Sequence, residues 1–448
     1  MNTKVRVSSP HLFPTMSRLQ VALGLGALLR VALPVCIPSI TESLSNTVEI
    51  STPITSFKAI KEAFYYLDHG IDLYDGGIVH HPPLLVVLLS LVNDYVPSAL
   101  TQLAFSVIYT AIDLWITHRL ILLNRWYNAR EKENYEAKKS KNDNKSKSSS
   151  FDGVADYMIA SVFLFNPLLL LTTLSFSTIN FTFLFVIEAV SQITLNRNYA
   201  RAVIALALAT YLSWSPVFLI VPLLALGHSE KVAPLAELYA QGGGIFITLC
   251  GLLLLTSFAL TASFGFVEQC YGTIIFFLKI VPNVGLWWYI FTEMFNFFTP
   301  FYLGVFNLYS AIFIVPISVR LFRRGGSGDP FLAYWLSYLW LSFTKSYPGI
   351  ADLGLMLSIL PIFYNTALPH CKFLVVTALT LIVCLVLSPI FYHCWIVLGN
   401  GNSNFFYSMN LVWGAVHVLV FMDLTWGRLT YDYLLKNGEG EEPRLTQI

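Results

Sequence analysis

Long apolar runs separated by short polar segments extend along nearly the whole chain. About 20 apolar residues are needed to cross a hydrocarbon core of roughly 30 Å, because each helical residue rises about 1.5 Å. The first such run is 19–40. Further candidate spans lie near residues 99–123, 155–174, 177–195, 200–226, 243–265, 271–298, 301–320, 329–345, 350–366, 371–390 and 405–426. The pattern predicts an all-α polytopic membrane protein with about ten to twelve transmembrane helices.

Composition excludes a soluble globular protein. Of 448 residues, 56% are hydrophobic and only 12% are charged, whereas about 25% are charged in soluble domains. The net charge of +1 gives no reason to expect a nucleic-acid partner. Six cysteines are scattered through apolar runs without a CxxC spacing, so we interpret them as packing residues and expect neither a metal nor a cofactor.

The whole chain, residues 1–448, is interpreted as a single membrane domain. Its parts are a first span at 19–40, a luminal loop with an interfacial helix at 41–98, a basic disordered cytosolic loop at 124–154, a helical bundle at 155–426 and a cytosolic tail at 427–448. The orientation follows from the excess of Lys and Arg in segments that stay in the cytosol. The apolar run Leu84–Val92 favours an interfacial or re-entrant helix because it is short, and a tilted span is the alternative.

The predicted luminal loop contains a polar and aromatic segment, Tyr65–Leu85. It carries Asp68, Asp72, Asp75 and His80, which together suit a site for a polar headgroup or a sugar. An equally weighted interpretation is structural: aspartates cap short helices and glycines form turns.

A second candidate is the loop Gly399–Tyr407. The amides of Asn402 and Asn404 supply both donors and acceptors, which suits sugar hydroxyls or a phosphate without any catalysis. Composition by itself favours a glycine-asparagine turn. Counting spans does not decide whether this loop lies on the same side of the membrane as residues 41–81.

Charged and aromatic residues inside apolar stretches form a third group. Lys345 and Asp352 are placed to pair across the break at Pro348 and Gly349. Charge in a membrane is costly and is usually paired or functional; the other acids of this kind are Asp113, Glu188, Glu293 and Asp423. The aromatic stretch 282–298, with Trp287, is interpreted as a lipid-binding groove wall or a headgroup-level belt.

No catalytic residue is predicted. The chain has no recognisable Ser-His-Asp or Cys-His arrangement, Walker loop, GxGxxG or HExxH motif.

Six short motifs in order resemble one known family, the class U subunit (PIG-U) of the glycosylphosphatidylinositol (GPI) transamidase. They span about residues 20 to 430 and are Leu67-Asp-His-Gly-Ile-Asp-Leu-Tyr-Asp-Gly76 with His80 and Pro83-Leu84, Phe165-Asn-Pro167, Leu208-Ala-Thr-Tyr211, Pro282-Asn-Val-Gly-Leu-Trp-Trp-Tyr289 with Glu293-Met-Phe295, Lys345-Ser-Tyr-Pro348 with Asp352, and Asn402-Ser-Asn-Phe-Phe-Tyr407.

The resemblance implies a multi-pass protein of the endoplasmic reticulum membrane. It implies a non-catalytic subunit that binds and presents the GPI lipid-glycan, or the C-terminal attachment signal of the protein, within a complex whose cysteine-protease-like subunit is another chain. It also assigns anchor contacts to Asn402 and Asn404. On that basis Asp68, Asp72, Asp75, His80, Trp287, Glu293, Lys345 and Asp352 are expected at the luminal rim or groove.

The family is also similar to polytopic GT-C glycosyltransferases that use dolichyl-phosphate sugars. This similarity implies a GT-C-like membrane scaffold with a luminal first loop, and the alternative function is a dolichyl-phosphate-mannose-dependent mannosyltransferase of GPI biosynthesis. Such enzymes need acids in that loop. The region that precedes the Gly-Ile-Asp-Leu-Tyr motif here has no acid between Glu49 and Glu62. A transporter is less consistent with the sequence because two matching halves are not evident.

Overall fold

The computed structural model describes residues 17–139, 153–323 and 327–437. Within these ranges the chain forms helices and connecting segments, without a β-strand. The helices of the first half are α1 Arg18–Cys36, α2 Pro38–Ser45, α3 Phe57–Asp68, α4 Pro83–Tyr95, α5 Ser98–Lys139, α6 Asp156–Leu164, α7 Pro167–Leu174, α8 Ile179–Thr194, α9 Tyr199–Leu212 and α10 Ile220–Ser229.

The second half contains shorter and more interrupted helices. They are α11 Leu235–Glu237, α12 Gly243–Thr261, α13 Thr273–Ile275, α14 Trp287–Glu293, α15 Thr299–Ile312, α16 Ile314–Arg320, α17 Pro330–Thr344, α18 Ile350–Ile359, α19 Leu374–Tyr392 and α20 Ser403–Asn437. Short 3-10 or π turns extend several of them.

Six segments of the described chain are long and apolar enough to cross a membrane. They are Arg18–Cys36, Ser98–Glu136, Leu235–Thr261, Asn296–Arg320, Leu374–Val397 and Ser403–Asn437, and the bent pair α6 and α7 makes a seventh if it is one span. This confirms an all-α, multi-pass membrane protein. The predicted ten to twelve full spans are not reached, because five apolar helices are shorter, at 10–17 residues.

The break between α6 and α7 shows why some helices are shorter than the spans predicted for them. The two helices are bent by 54°. Asn166 accepts a hydrogen bond from the Leu168 N–H at 3.0 Å and so caps α7, while Pro167 lacks the N–H needed to continue α6. The predicted span 155–174 is therefore two short helices, and the predicted span 271–298 is likewise divided between α13 and α14.

Two predicted boundaries are wrong. Helix α5 continues to Lys139, so the loop predicted at 124–154 begins later than expected. Helix α20 continues to Asn437 through the start of the tail predicted at 427–448. The reason is a buried ion pair, 3.0 Å between Arg428 and Glu131, that holds both helix ends. Residues 140–152 and 438–448 lie outside the described part of the chain.

Helix α4 is the short helix expected inside residues 41–98. It has 13 residues and buries Leu85, Val86 and Leu89. At about 1.5 Å per residue its length is well below a hydrocarbon thickness, which agrees with a helix that does not cross by itself.

A buried polar cluster ties the first helices together. Arg30 of α1 forms a 2.6 Å ion pair with Asp113 of α5, and Thr173 of α7 donates to the same carboxylate at 2.7 Å. Both charged residues are almost fully buried. Charges in an apolar bundle are tolerated when paired in this way, so Asp113 has a structural role in the fold.

The loop around Asn402 and the segment around Glu49 lie at the same end of the bundle. Glu49 accepts a hydrogen bond from Ser388, close to the end of α19, at 3.1 Å, and α20 begins directly after Asn402. Arg428 lies near the other end of α20, about 40 Å away at the helical rise. The segment around Glu49 and the Asn402 loop thus share one end of the bundle, and the end of α5 beside the predicted cytosolic loop lies at the other end.

Candidate functional site

A cluster of aromatic rings holds the start of α14 against the start of α20. Tyr289 stacks on Tyr407 with ring centroids 4.3 Å apart and planes inclined by 15°. Trp288 stacks on Trp395 at 5.8 Å and lies 5.7 Å from Phe406. We call these five residues the rim cluster. Trp288 and Phe406 are buried, so the cluster fixes the loop that separates α19 from α20.

Both predicted asparagines lie beside the rim cluster. Asn402 accepts a hydrogen bond through Oδ1 from the Asn404 N–H at 3.0 Å, which is the geometry of a helix cap for α20. Asn404 accepts through its own Oδ1 from the phenol of Tyr289. Both side chains are exposed. The Asn402 oxygen thus makes a local turn contact, the Asn404 oxygen makes a long-range one, and the two amide nitrogens donate to no other described residue.

Trp287 lies behind this rim rather than on it. Its side chain is buried and donates from Nε1 to the Thr344 carbonyl at 2.8 Å. Phe277 and Phe291 pack against it at 5.6 and 5.8 Å between ring centroids. Because Trp287 is inside the protein, a headgroup-level belt does not describe it; it supports the rim from within.

The predicted pair of Lys345 and Asp352 is confirmed. Their charged atoms are 2.7 Å apart across the break at Pro348 and Gly349. Asp352 also accepts from the Gly349 N–H at 3.0 Å and from the Tyr338 hydroxyl at 3.3 Å. Asp352 thus caps the first turn of α18 and also neutralises Lys345. The pair therefore has a structural role that does not depend on any ligand.

Two asparagines that were not among the predicted site residues, Asn283 and Asn410, connect these elements. Asn410 of α20 donates to the carbonyls of Asn283 and Gly285 at 2.6 and 3.3 Å. Asn283 accepts from the Gly285 N–H at 2.7 Å. A Cβ on Gly285 would lie 2.7 Å from the Pro348 ring. The sequence signal for Asn410 was a polar residue inside the apolar run of α20, eight positions after the cap Asn402.

The three predicted acids lie at the end of α3 and in the segment that follows it. Asp68, Asp72 and Asp75 are exposed. Asp72 accepts from the Tyr74 N–H at 2.9 Å and so forms a turn. Asp68 is the last residue of α3. Among the described residues none of the three bonds to the asparagine loop.

The histidines after these acids are buried. His80 Nδ1 lies 2.6 Å from the Gln269 carbonyl oxygen and 3.4 Å from the Thr273 hydroxyl. Burial lowers the pKa of His80, and it lowers the pKa of His81 to about 3. Both rings are therefore neutral at physiological pH. Ile274, which follows Thr273, accepts a hydrogen bond from the Ser346 hydroxyl at 3.0 Å. The segment that contacts His80 therefore also bonds the residue next to Lys345.

The other acids predicted as candidates are explained by local structure or lie apart. Glu188 forms a two-point ion pair with Arg119, at 2.8 Å for each contact. Asp423 accepts from two successive backbone N–H groups at the start of α19. Glu293 ends α14 with an exposed side chain and has no ion pair within the described ranges. In those ranges there is also no group of three potential metal ligands.

Comparison with known proteins identifies the family. The sequence model described as "GPI transamidase subunit PIG-U" matches residues 24–413. The chain is 35% identical over 417 residues to "GPI transamidase component GAB1" of Saccharomyces cerevisiae, covering 93% of this chain and 95% of that protein. It is 29% identical over 414 residues to "GPI transamidase component GAB1 homolog" of Schizosaccharomyces pombe, covering 91% and 93% of the two chains.

A human relative is similar over nearly the same length. The chain is 27% identical over 422 residues to "GPI-anchor transamidase component PIGU" of Homo sapiens, covering 89% of this chain and 91% of that one. None of these three relatives is named as a mannosyltransferase. The resemblance inferred from six short motifs is thus confirmed, and the chain belongs to the PIG-U family of GPI transamidase subunits.

Proposed function

We propose that this chain is a non-catalytic subunit of a GPI transamidase in the endoplasmic reticulum membrane. It holds the GPI lipid-glycan at the rim formed by Asn402 and Asn404. Another chain of the complex, a cysteine-protease-like subunit, makes and breaks the covalent bonds. The observation that carries the proposal is the placement of these two exposed amides on the rim cluster, in a chain whose family and relatives are named as transamidase components.

The chemistry of the rim suits recognition of a glycan or a phosphate. An asparagine amide has two N–H donors and one acceptor oxygen. Here both oxygens are used, one by the Asn404 N–H and one by Tyr289. The remaining donors are therefore oriented by the fold before a ligand arrives. Preorganised donors lose less entropy on binding than free side chains do.

The same groups do not suggest bond-making chemistry. The rim presents amides and a phenol, all of them neutral. Each neutral hydrogen bond contributes only about 0.5–1.5 kcal/mol. Such contacts set specificity and position, while burial of hydrocarbon chains supplies most of the affinity for a lipid. This division supports a role in presentation to a separate catalytic subunit.

The test is a double substitution, Asn402→Ala with Asn404→Ala, in cells that lack their own copy of the gene. We expect less GPI-anchored reporter at the cell surface, with the other subunits co-purifying in normal amounts. The matched control is Asn400→Ala, which changes an exposed asparagine of the same loop and should leave both readouts unchanged. Normal anchoring, or loss of the complex, would contradict the proposal.

A further inference from the structure

A cavity of about 280 Å³ lies where α7, α19 and α20 meet the segment around Glu49. Its wall is mainly hydrocarbon, from the side chains of Ile50, Leu168, Leu171, Val284, Ile350 and Leu385. Protein interiors are close-packed and contain few voids larger than a water molecule. A cavity of about 150 Å³ in another protein's core stays dry and binds benzene. This cavity is larger and has room for a hydrocarbon ligand.

The polar side chains in the wall are already bonded to the protein, except for the Trp413 indole N–H, which has no partner among the described residues. Ser388 donates to Glu49 at 3.1 Å, and Asn410 donates to backbone carbonyls at the start of the aromatic stretch. Burial raises the pKa of Glu49, which favours its neutral form. The lining contains neither Lys nor Arg. A phosphate would find no counter-charge inside, whereas a hydrocarbon would meet a matching surface.

The cavity reaches the part of the surface that faces lipid. Pro167 and Pro389 are exposed at its edge. Helix α19 carries an exposed apolar row at a spacing of three and four residues, Val375, Leu379, Ile382, Val386 and Ile390. That spacing marks one face of a helix, and α19 lies in a candidate membrane span. Pro389 adjoins this row, so the entrance opens towards the bilayer.

We propose that this cavity binds one fatty-acyl chain of a membrane glycerolipid, which enters between α7 and α19 while its phosphate stays outside. The site is separate from the asparagine rim and does not depend on glycan binding there. Both a bulk phospholipid and the anchor lipid carry an acyl chain of this kind.

The test uses the full chain in its purified complex, placed in bilayers that contain phosphatidylcholine with a photoreactive diazirine near the end of one acyl chain. After irradiation, crosslinked peptides are located by mass spectrometry. We expect labels on the cavity-facing positions of α7 and α19. Cys384, buried in the wall, is changed to Trp to fill the space, and most of this labelling should be lost.

The matched control is Ile382→Trp, which adds the same ring on the lipid-facing row of α19, where Ile382 is 58% exposed, and should leave cavity labelling intact. Because Cys384→Trp risks misfolding, Leu385→Phe at the half-buried edge provides a second blocked variant. Thermal unfolding and subunit co-purification show which variants are folded.

Competition with unlabelled GPI-type lipid distinguishes the two sources of the bound acyl chain. Competition with the phosphatidylcholine probe assigns the cavity to the anchor lipid as well, and absence of competition assigns it to bulk phospholipid; both results support an acyl-chain site. Labelling that folded Cys384→Trp and Leu385→Phe variants both leave unchanged would overturn it. The Asn402→Ala and Asn404→Ala variant should keep full phosphatidylcholine labelling, so this test is independent of the proposed anchor contacts.

Discussion

The ring of Tyr289 lies flat on the ring of Tyr407 while its hydroxyl donates to Oδ1 of Asn404. One side chain thus joins the start of α14 to the start of α20 through a stacking contact and a hydrogen bond. The stack orients the phenol, and the phenol orients the amide. The position of the Asn404 donors therefore depends on a residue far away in the sequence.

Tyr289→Phe separates these two contributions. The stack on Tyr407 remains, but the hydrogen bond to Asn404 is lost, at a cost of about 0.5–1.5 kcal/mol. If Asn404 binds the anchor, transamidation at limiting lipid should fall about 2- to 10-fold, with normal complex assembly. Tyr364→Phe, at a tyrosine that is 58% exposed, is the control. An unchanged rate at limiting lipid would show that this bond does not serve the ligand.

Asp352→Asn should destabilise the protein. Lys345 would be left with its charge in a largely buried site, only 12% exposed, and removing one partner of a buried pair costs about 3–5 kcal/mol. The midpoint of thermal unfolding in detergent should fall. The double change Lys345→Met with Asp352→Asn should recover part of the loss because it removes the stranded cation. Equal stability of the single and double variants would mean that the pair contributes little.

Gly285→Ala tests the close approach of two loops. A Cβ there would lie 2.7 Å from the Pro348 ring, which is closer than real contacts allow, so the segment that leads into Trp287 must shift. We expect weaker anchor attachment and a lower unfolding temperature. Gly304→Ala is the matched control, since its added Cβ meets nothing within 4 Å. Similar behaviour of the two variants would exclude a steric requirement at Gly285.

The fold class was predictable because span length is a local property of the sequence. The ion pair of Lys345 and Asp352 was also predictable, since only seven residues separate them. The contact of Tyr289 with Asn404 joins residues 115 positions apart. Motif resemblance singled out both of its segments, but their meeting depends on how α14 and α20 pack, which no local pattern encodes.

Long-range partners also explain the wrong boundaries. The end of α5 is rich in charge, and charge without apolar residues predicts a solvated loop. In the structure Glu131 is buried because Arg428, 297 positions away, neutralises it. The sequence did not predict the short helices for a related reason. An apolar run indicates that a segment avoids water, but a segment packed inside the helix bundle avoids water as well as one that faces lipid.

The buried His81 predicts a pH dependence of stability. Its pKa is lowered to about 3 in the folded protein, against about 6.5 when unfolded. The unfolded chain therefore binds the proton more readily, and stability is lost as pH falls below about 6.5 towards 3. At pH 5 this amounts to about 2 kcal/mol, since one pKa unit is about 1.4 kcal/mol.

Thermal unfolding at pH 7.5, 6 and 5 measures this effect. His81→Leu should flatten the decline between pH 6.5 and 5, because the substituted side chain cannot take up a proton when the protein unfolds. His69→Leu changes an exposed histidine of the same segment and should leave the slope as it is. Each variant removes one imidazole, and the two imidazoles differ in whether they are buried in the folded protein. If both reduce the slope equally, burial of the His81 imidazole is not the source of the acid sensitivity.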